Sequence, residues 1–465
     1  MTDAVLTSPA RPRRARRWLI VLVILLLPFA VHAIWDQFES VMLARDVAAI
    51  AHRGEPVNVE SRRAPLRDPE LRRSAALYAA AATLARWQNG GFGFDNSDIV
   101  DPSTGALFAD GRFQAYLAEA EPTVQLLNTA TPLRFERFGD VATEFSHNQS
   151  PLEALNAMNC LSADVLSARG EGDVAADVLT RSIRLQRTIT ISFYRNFALR
   201  RLYGSLRLLL LHGQPGSDSL RRLQAAMEEW PDDDGLAAQV LGTRAEMLGE
   251  FWPHPPERNS WALRAHPMLR STAMMTAAFV VFRPLMTHAI RSQLGPFQEV
   301  LDVSRQPWPG KQDAAQALMQ KYAAEMKRAS QWRVTTGWLT MPPAMALFNL
   351  AELPSAGANL AMRRTAIVVV AAERYRRDHG GLPPPSLQAL VPQYLAAVPD
   401  DPFSGRPPVL KIGAADYAVY SVDIDRKDDG GVLYGIGTGV KERWRNADTK
   451  TPRDLGIRVP LAPQH

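Results

Sequence analysis

The chain has 465 residues, of which 46% are hydrophobic and 22% are charged, so it is too long for one small core and too apolar for wholesale disorder. The net charge of +5 comes mostly from residues 1–17, which carry five arginines against Asp3, and this distribution excludes a nucleic-acid-binding body. The single cysteine, Cys160, excludes an intrachain disulfide and a multi-cysteine zinc site, and it is expected to be buried.

The first predicted element is a transmembrane anchor over residues 18–35. The run from Trp18 to Trp35 carries no formal charge, and as a helix it would be about 27 Å long, close to the hydrocarbon thickness of a bilayer. Arginines precede the run, and Asp36 and Glu39 follow it. Residues 1–17 are therefore predicted to be a cytoplasmic basic segment of a single-pass inner-membrane protein with a periplasmic body.

A cleaved signal peptide is the alternative interpretation of the same run. Val31-His32-Ala33 offers small or tolerated residues, so that cleavage would follow Ala33. Sequence compatible with a helix continues from Trp35 through Arg45 without a breaker, which favours an uncleaved anchor. Both interpretations export the body.

Residues 36–355 are predicted to form an α-helical exported domain. Apolar residues recur at helical spacing up to Gly54, and a second helix is predicted over residues 69–88. A helix-turn-helix follows, with its turn at residues 170–173. Because no repeat period recurs, the body is predicted to be an irregular α-helical bundle or solenoid.

An apolar run at residues 273–282 stands out within this body. It ends at Arg283 and Pro284, and about a dozen residues are too few to span a bilayer. The run is therefore interpreted as a buried helix, with a helix lying on the bilayer surface as the alternative.

Motifs that carry catalytic chemistry are weak in this sequence. His52-Arg53-Gly54 matches the opening of the glycerophosphodiester phosphodiesterase motif, but it ends an amphipathic helix instead of a barrel strand. The nine histidines form no His-x-x-x-His pair, and no Gly-x-Ser-x-Gly elbow occurs. No catalytic residue is assigned, and the protein is expected to be non-catalytic.

Residues 356–465 are predicted to be a small α+β domain. A helix over residues 360–377 is followed by a short second helix that Ser386 would cap. Apolar and aromatic runs at residues 409–412 and 417–422 flank a short turn, which predicts a β-hairpin.

An acidic loop follows the predicted hairpin. It places four carboxylates within seven residues, at Asp423, Asp425, Asp428 and Asp429. A hard cation would relieve their mutual repulsion, and calcium accepts carboxylate and carbonyl oxygens in flexible geometry. Because Arg426 and Lys427 lie in the same loop, a solvated acidic turn without metal is the alternative.

The order of these features resembles the C-terminal globular domain of the major pseudopilin of type II secretion. The matching segments are Ala372 to Pro383, Asp400-Asp401-Pro402-Phe403-Ser404-Gly405, the Tyr417–Val422 strand and the Asp/Gly loop at 428–431. The resemblance covers about residues 360–460, because the N-terminus lacks a pilin-type cleavage site and its early glutamate. It implies a pseudopilin-like α+β fold and a calcium-binding loop, with Asp454 joining the four loop aspartates as a metal ligand.

Taken together, the sequence predicts a membrane-anchored cell-envelope protein of scaffold or interaction type, associated with secretion or pilus-like machinery. Its partners are expected to be the membrane, through Trp18 to Trp35, and other envelope proteins. The alternative is an envelope hydrolase with an unrecognised site in the helical domain. The oligomeric state does not follow from the sequence.

Overall fold

A computed structural model describes residues 13–58, 150–186, 192–230, 235–251, 272–331, 344–433 and 454–461. These ranges contain ten α-helices and three short β-strands, so the predicted mainly α-helical fold with a small α+β tail is confirmed. The first twelve residues of the basic segment and the helix predicted over residues 69–88 lie outside the described residues.

The helices are α1 (Arg13–His52), α2 (Ser150–Ala168), α3 (Gly172–Gln186), α4 (Ser192–Leu208), α5 (Ser217–Glu228), α6 (Leu236–Phe251), α7 (Thr272–Ser304), α8 (Gly310–Gln331), α9 (Ala344–Ala351) and α10 (Leu353–Asp378). A π-helical turn, Leu209–Gly213, continues α4, and a single 3-10 turn, Leu387–Leu390, follows α10. The strands are β1 (Val409–Ile412), β2 (Asp416–Ser421) and β3 (Leu455–Pro460).

α1 is one continuous helix of 40 residues that begins in the basic segment and extends well past the predicted anchor. Its large apolar side chains between Ile20 and Ile34 are exposed, whereas Leu43 and Ile50 are buried. Within the described ranges, α1 is the one helix long and apolar enough to cross a membrane, as an anchor or as a signal sequence. The type of membrane and the orientation stay predictions.

The predicted helix-turn-helix is confirmed as α2 and α3. Gly170 in the turn has a φ of +78°, a left-handed conformation that glycine adopts without strain. Gly172, at the start of α3, allows a close approach of two backbones, because a Cβ there would overlap the carbonyl of Gly213. The π-helical turn after α4 therefore packs directly on the start of α3.

The buried apolar side chains form two clusters. The first joins α1 with α6, α7, α8 and α9, and it includes the fully buried Phe297 and Leu301. The second joins α2 to α5 with α10 and the sheet, and it includes Leu179 and Val368. Trp308, between α7 and α8, packs against both clusters.

The tail contains the predicted hairpin and one strand more. β2 is central and pairs antiparallel with both neighbours, so that Val409 lies opposite Tyr420 and Asp416 lies opposite Pro460. The hairpin is therefore confirmed, whereas β3 was not predicted. The helix predicted after Ser386 is reduced to the 3-10 turn, because Pro392 has no N–H with which to continue it.

The tail shares its core with the helical body, since the second cluster crosses the predicted boundary at residue 356. Polar contacts cross it as well. Gln224 of α5 donates to the Tyr394 carbonyl at 2.8 Å and accepts from Arg374 of α10 at 2.9 Å. A domain boundary at this position stays a prediction, but the described packing joins its two sides.

Candidate functional site

Polar contacts between α1 and α7 hold α1 against the helical body, and they are called the seam below. His32 Nε2 lies 2.9 Å from the carbonyl oxygen of Val281. Arg283 Nη1 lies 3.0 Å from Asp36 Oδ2. The seam therefore begins beside the apolar segment of α1 and continues directly after it.

Glu39 is the buried carboxylate of the seam. Its Oε1 atom lies 3.0 Å from His288 Nδ1, and its Oε2 atom lies 3.3 Å from Arg291 Nη1. A carboxylate removed from water is costly unless basic groups pair with it. These pairs therefore fix the rotation of α1 relative to α7.

A second ionic cluster lies just after α1 ends, around Glu55. This carboxylate is 2.9 Å from Arg244, 3.2 Å from Arg53 and 3.3 Å from Arg305. Burial acts to raise the pKa of Glu55, but the hydrogen bonds from Arg244 and Arg53 prevail and hold that pKa below its ordinary value. The arginine of the His52-Arg53-Gly54 motif thus belongs to an ion cluster between elements.

Asp401, from the motif that carries the pseudopilin resemblance, ties the turn after the 3-10 helix to the end of β2. Its Oδ1 atom accepts from the Ser421 hydroxyl at 2.6 Å and from the Phe403 N–H at 3.2 Å. The N–H of Val422 lies 3.4 Å from Oδ2. A buried carboxylate with several donors can fix a turn without any ligand, so the described contacts give Asp401 a structural role.

Glu373 is a second buried carboxylate with a structural role, and it links α10 to β2. It accepts from the Tyr417 hydroxyl at 2.6 Å and from two nitrogens of Arg376 at 2.9 and 2.7 Å. Burial, together with the negative charge of Glu373, raises the pKa of Tyr417 well above its ordinary value. Tyr417 therefore remains a hydrogen-bond donor at physiological pH.

Three of the five predicted calcium ligands, Asp428, Asp429 and Asp454, come close together where the loop meets β3. Asp454 is buried, and its two carboxylate oxygens accept from the N–H groups of Asp429 at 3.3 Å and Gly431 at 2.7 Å. Burial, reinforced by the nearby charges of Asp428 and Asp429, raises the pKa of Asp454. The Asp454 carboxylate thus acts as a cap for the loop backbone.

The other loop aspartates also face donors from the protein. Asp428 Oδ1 accepts from the Tyr420 hydroxyl at 3.0 Å, and Asp425 Oδ1 accepts from the Lys427 N–H at 3.1 Å. Asp423 lies at the start of the loop with a φ of +56°.

The described contacts of these loop carboxylates are hydrogen bonds from the protein itself. Calcium requires about six to eight oxygen ligands, whereas N–H and O–H donors face the carboxylates of Asp425, Asp428 and Asp454. Across the described ranges, no group of three or more His, Cys, Asp or Glu side chains is arranged to hold a metal ion. Residues 434–453 lie outside those ranges. Calcium binding stays a prediction.

The helical body contains a group of buried polar side chains between α2 and α3. The Ser182 hydroxyl donates to Asn156 and lies 3.8 Å from Cys160 Sγ. Burial raises the pKa of the Cys160 thiol to about 12 and that of the Asp164 carboxyl to about 7. The expected burial of Cys160 is confirmed, and a thiol with this pKa is not a nucleophile at neutral pH.

The basic residues of the seam were not predicted from the sequence. Arg283, His288 and Arg291 lie three to eight positions apart on α7, which is otherwise largely apolar. Charged residues with this spacing on an apolar helix are a signal for a buried polar partner, since they cannot face a core unpaired. The sequence does not identify that partner as α1.

Comparisons with protein-family models, with curated proteins and with solved structures found no match to this chain. The resemblance of the tail to the major pseudopilin of type II secretion stays a prediction.

Proposed function

We propose that this protein is a non-catalytic scaffold of the cell envelope, held in the inner membrane by an uncleaved α1. The observation that supports an anchor is the continuity of α1, which runs from its exposed apolar half into the seam without a break. A helix tied to the body by Asp36 and Glu39 would hold that body at a fixed height above the bilayer. Cleavage after Ala33 would remove His32 and its contact with α7.

The charges at the two ends of the apolar segment support a cytoplasmic N-terminus. Five arginines precede Trp18, whereas Asp36 and Glu39 follow Trp35. Basic residues are retained on the cytoplasmic side during insertion, so the body would be exported. N-terminal sequencing of the mature protein tests the anchor, because a chain that begins at Ile34 would contradict it.

The tail would supply contacts with other envelope proteins, including components of secretion or pilus-like machinery. This part of the proposal is supported by the sequence resemblance and by three large apolar side chains exposed on the tail, at Leu382, Ile412 and Val432. Exposed apolar residues of this size are suitable anchors for a protein interface.

Capture of crosslinked partners from membranes tests this role. The full-length protein is compared with Leu382→Lys and Val432→Lys variants, and with Val174→Lys as a control that changes a similarly exposed residue of α3. We expect the tail variants to lose partner proteins that the Val174→Lys variant retains. Identical sets of partners in all variants would contradict an interaction role for these tail residues.

Calcium binding by the acidic loop has its own test. Thermal unfolding is measured in calcium and in chelator for the wild type and for an Asp425→Ala, Asp428→Ala double variant. A calcium-dependent rise in Tm that the double variant lacks would support the loop as a calcium site. Equal curves for the wild type in calcium and chelator would contradict it.

A further inference from the structure

α7 begins with an uncharged stretch, Thr272–Phe282, whose last two side chains are exposed. Val281 is 58% exposed and Phe282 is 52% exposed, although both are large and apolar. The interpretation of this run as a buried helix is therefore wrong for these two residues. Transfer of these adjacent side chains from water to another apolar phase would therefore be favourable.

α1 and α7 run parallel along the seam and stay in register. The contacts advance together along both helices: His32 with Val281, Asp36 with Arg283, and Glu39 with His288, at separations of 249, 247 and 249 positions. Helices that keep a constant offset advance side by side in the same direction. A residue of α7 therefore lies at about the same depth in the bilayer as the α1 residue 249 positions before it.

The same offset, continued toward the N-terminus of α7, sets the uncharged stretch level with the apolar segment of α1, whose side chains from Ile20 to Val31 are exposed. An offset of 249 sets Thr272 level with Val23 and Phe282 level with Ala33. Eleven residues at 1.5 Å each would extend about 16 Å, which is about half of a hydrocarbon layer about 30 Å thick.

Both helices change from apolar to charged at the same level. Arg283 is the first charged residue of α7, and it pairs at 3.0 Å with Asp36, the first charged residue of α1 after the apolar segment. Such a common boundary is the pattern expected where a helix pair leaves a bilayer. The contact of His32 with the Val281 carbonyl also satisfies a polar ring just inside that boundary.

The geometry points to a second membrane-embedded element: the end of the Thr272–Phe282 stretch enters the exported-side leaflet beside α1, and lipid acyl chains cover Val281 and Phe282. This inference rests on the proposed anchoring of α1 and deepens it. The body is held at the membrane by two helices joined at the seam, which restricts its tilt as well as its distance from the bilayer.

Fluorescence quenching in vesicles tests this arrangement. Full-length Phe282→Cys, Val23→Cys and Val174→Cys variants are labelled with a bimane probe and reconstituted in phosphatidylethanolamine and phosphatidylglycerol vesicles. Quenching is measured with acyl-chain spin-labelled lipid and with aqueous iodide. Wild-type protein, whose one cysteine is the buried Cys160, gives the background labelling.

We expect the Phe282→Cys and Val23→Cys probes to be quenched at least twofold more by the spin-labelled lipid than the exposed Val174→Cys control, and less by iodide. Lipid quenching at Val23→Cys with iodide quenching at Phe282→Cys would overturn the second element while the anchor stands. Absence of lipid quenching at Val23→Cys would instead overturn the anchor. Protection of Phe282→Cys from both quenchers would assign the covering surface to protein and also overturn the inference.

Discussion

At the scale of single residues, Asp401 makes a sharp prediction. Asp401→Ala removes the acceptor of the Ser421 hydroxyl and of two backbone N–H groups in a buried turn. Donors left without a partner in the interior are costly, so we expect the free energy of unfolding to fall by roughly 2–4 kcal/mol. Chemical denaturation measures this loss.

The adjacent aspartate provides the control for Asp401. Asp400 is exposed, and Asp400→Ala is expected to change stability by only about 0.5 kcal/mol. Similar losses in the two variants would show that Asp401 does not organise the turn.

Asp164 gives a prediction that depends on pH. Burial raises its pKa from 3.8 to about 7 in the folded protein, so between these values the folded state binds a proton that the unfolded chain lacks. The free energy of unfolding from this group therefore rises as the pH falls from 8 to 5. Asp164→Asn cannot ionise, so it is expected to be more stable than the wild type at pH 8, by a margin that shrinks by roughly 2 kcal/mol at pH 5.

Denaturant titrations at the two pH values measure this margin. Asp218→Asn, which alters an exposed aspartate, is the control and should show no change in margin. A margin for Asp164→Asn that is the same at pH 5 and pH 8 would contradict a raised pKa at this position.

The sequence predicted which aspartates crowd the loop but not what faces them. Spacing alone shows that Asp428 and Asp429 are neighbours, and it cannot show whether a carboxylate meets a cation or an N–H group. The contact of Asp454 with the Gly431 N–H depends on a chain return across 23 positions. Local sequence carries no information about such a return, so the hydrogen bonds that Asp454 accepts from the loop backbone could not be predicted.

At the scale of elements, the seam depends on Glu39. Glu39→Ala leaves His288 and Arg291 without their shared carboxylate, and we expect it to weaken the attachment of α1 by roughly 2 kcal/mol. This corresponds to amide hydrogen exchange about 30-fold faster in residues 36–52. Hydrogen-exchange mass spectrometry of the full-length protein in detergent measures it.

Glu299→Ala on α7, the helix that carries His288 and Arg291, is the matched control. Glu299 pairs with Lys321 at 2.6 Å, but both side chains are largely exposed, so that pair is expected to contribute at most about 1 kcal/mol. Unchanged exchange in α1 after Glu39→Ala would contradict the assigned function of the seam.

Elements set by local patterns were predicted well, and β3 was not. The long apolar helix α1 and the β1–β2 hairpin follow from an apolar run and from alternation on both sides of a short turn. Leu455, Ile457 and Val459 also alternate and are buried, but Gly456 and Pro460 weaken the pattern. β3 is stabilised by pairing with β2, which lies far away in sequence, and single-strand propensity cannot report that pairing.

At the scale of the whole molecule, the shared second cluster predicts that residues 356–465 do not fold alone. Val368 and Tyr417 pack in one cluster with Leu179 and Leu220 of the helical body, so the isolated fragment would expose a large apolar surface. We expect this fragment to show no cooperative thermal transition by circular dichroism, whereas the full-length protein should show one. A fragment that melts cooperatively would establish the tail as an independent domain.

The boundary near residue 356 was predicted just before the segment that resembles the pseudopilin domain. A resemblance of this kind reports the order of local elements and not the packing between them, and α10 itself spans residue 356. Gln224, which bonds to Tyr394 and Arg374 across this boundary, looks like an ordinary polar residue of an amphipathic helix. The helical body and the tail are therefore joined by tertiary contacts, which the spacing of apolar residues in the sequence does not predict.

Trp308 gives the two hydrophobic clusters a common member, and its ring meets Phe403 of the tail edge-on at 5.5 Å. Close-packed side chains transmit displacement because the interior has little room to deform. A partner of the proposed kind that pulls on the tail would therefore transmit the force to α7 and α1 through packed side chains. The proposed scaffold would then be a stiff connection between the bilayer and its partner.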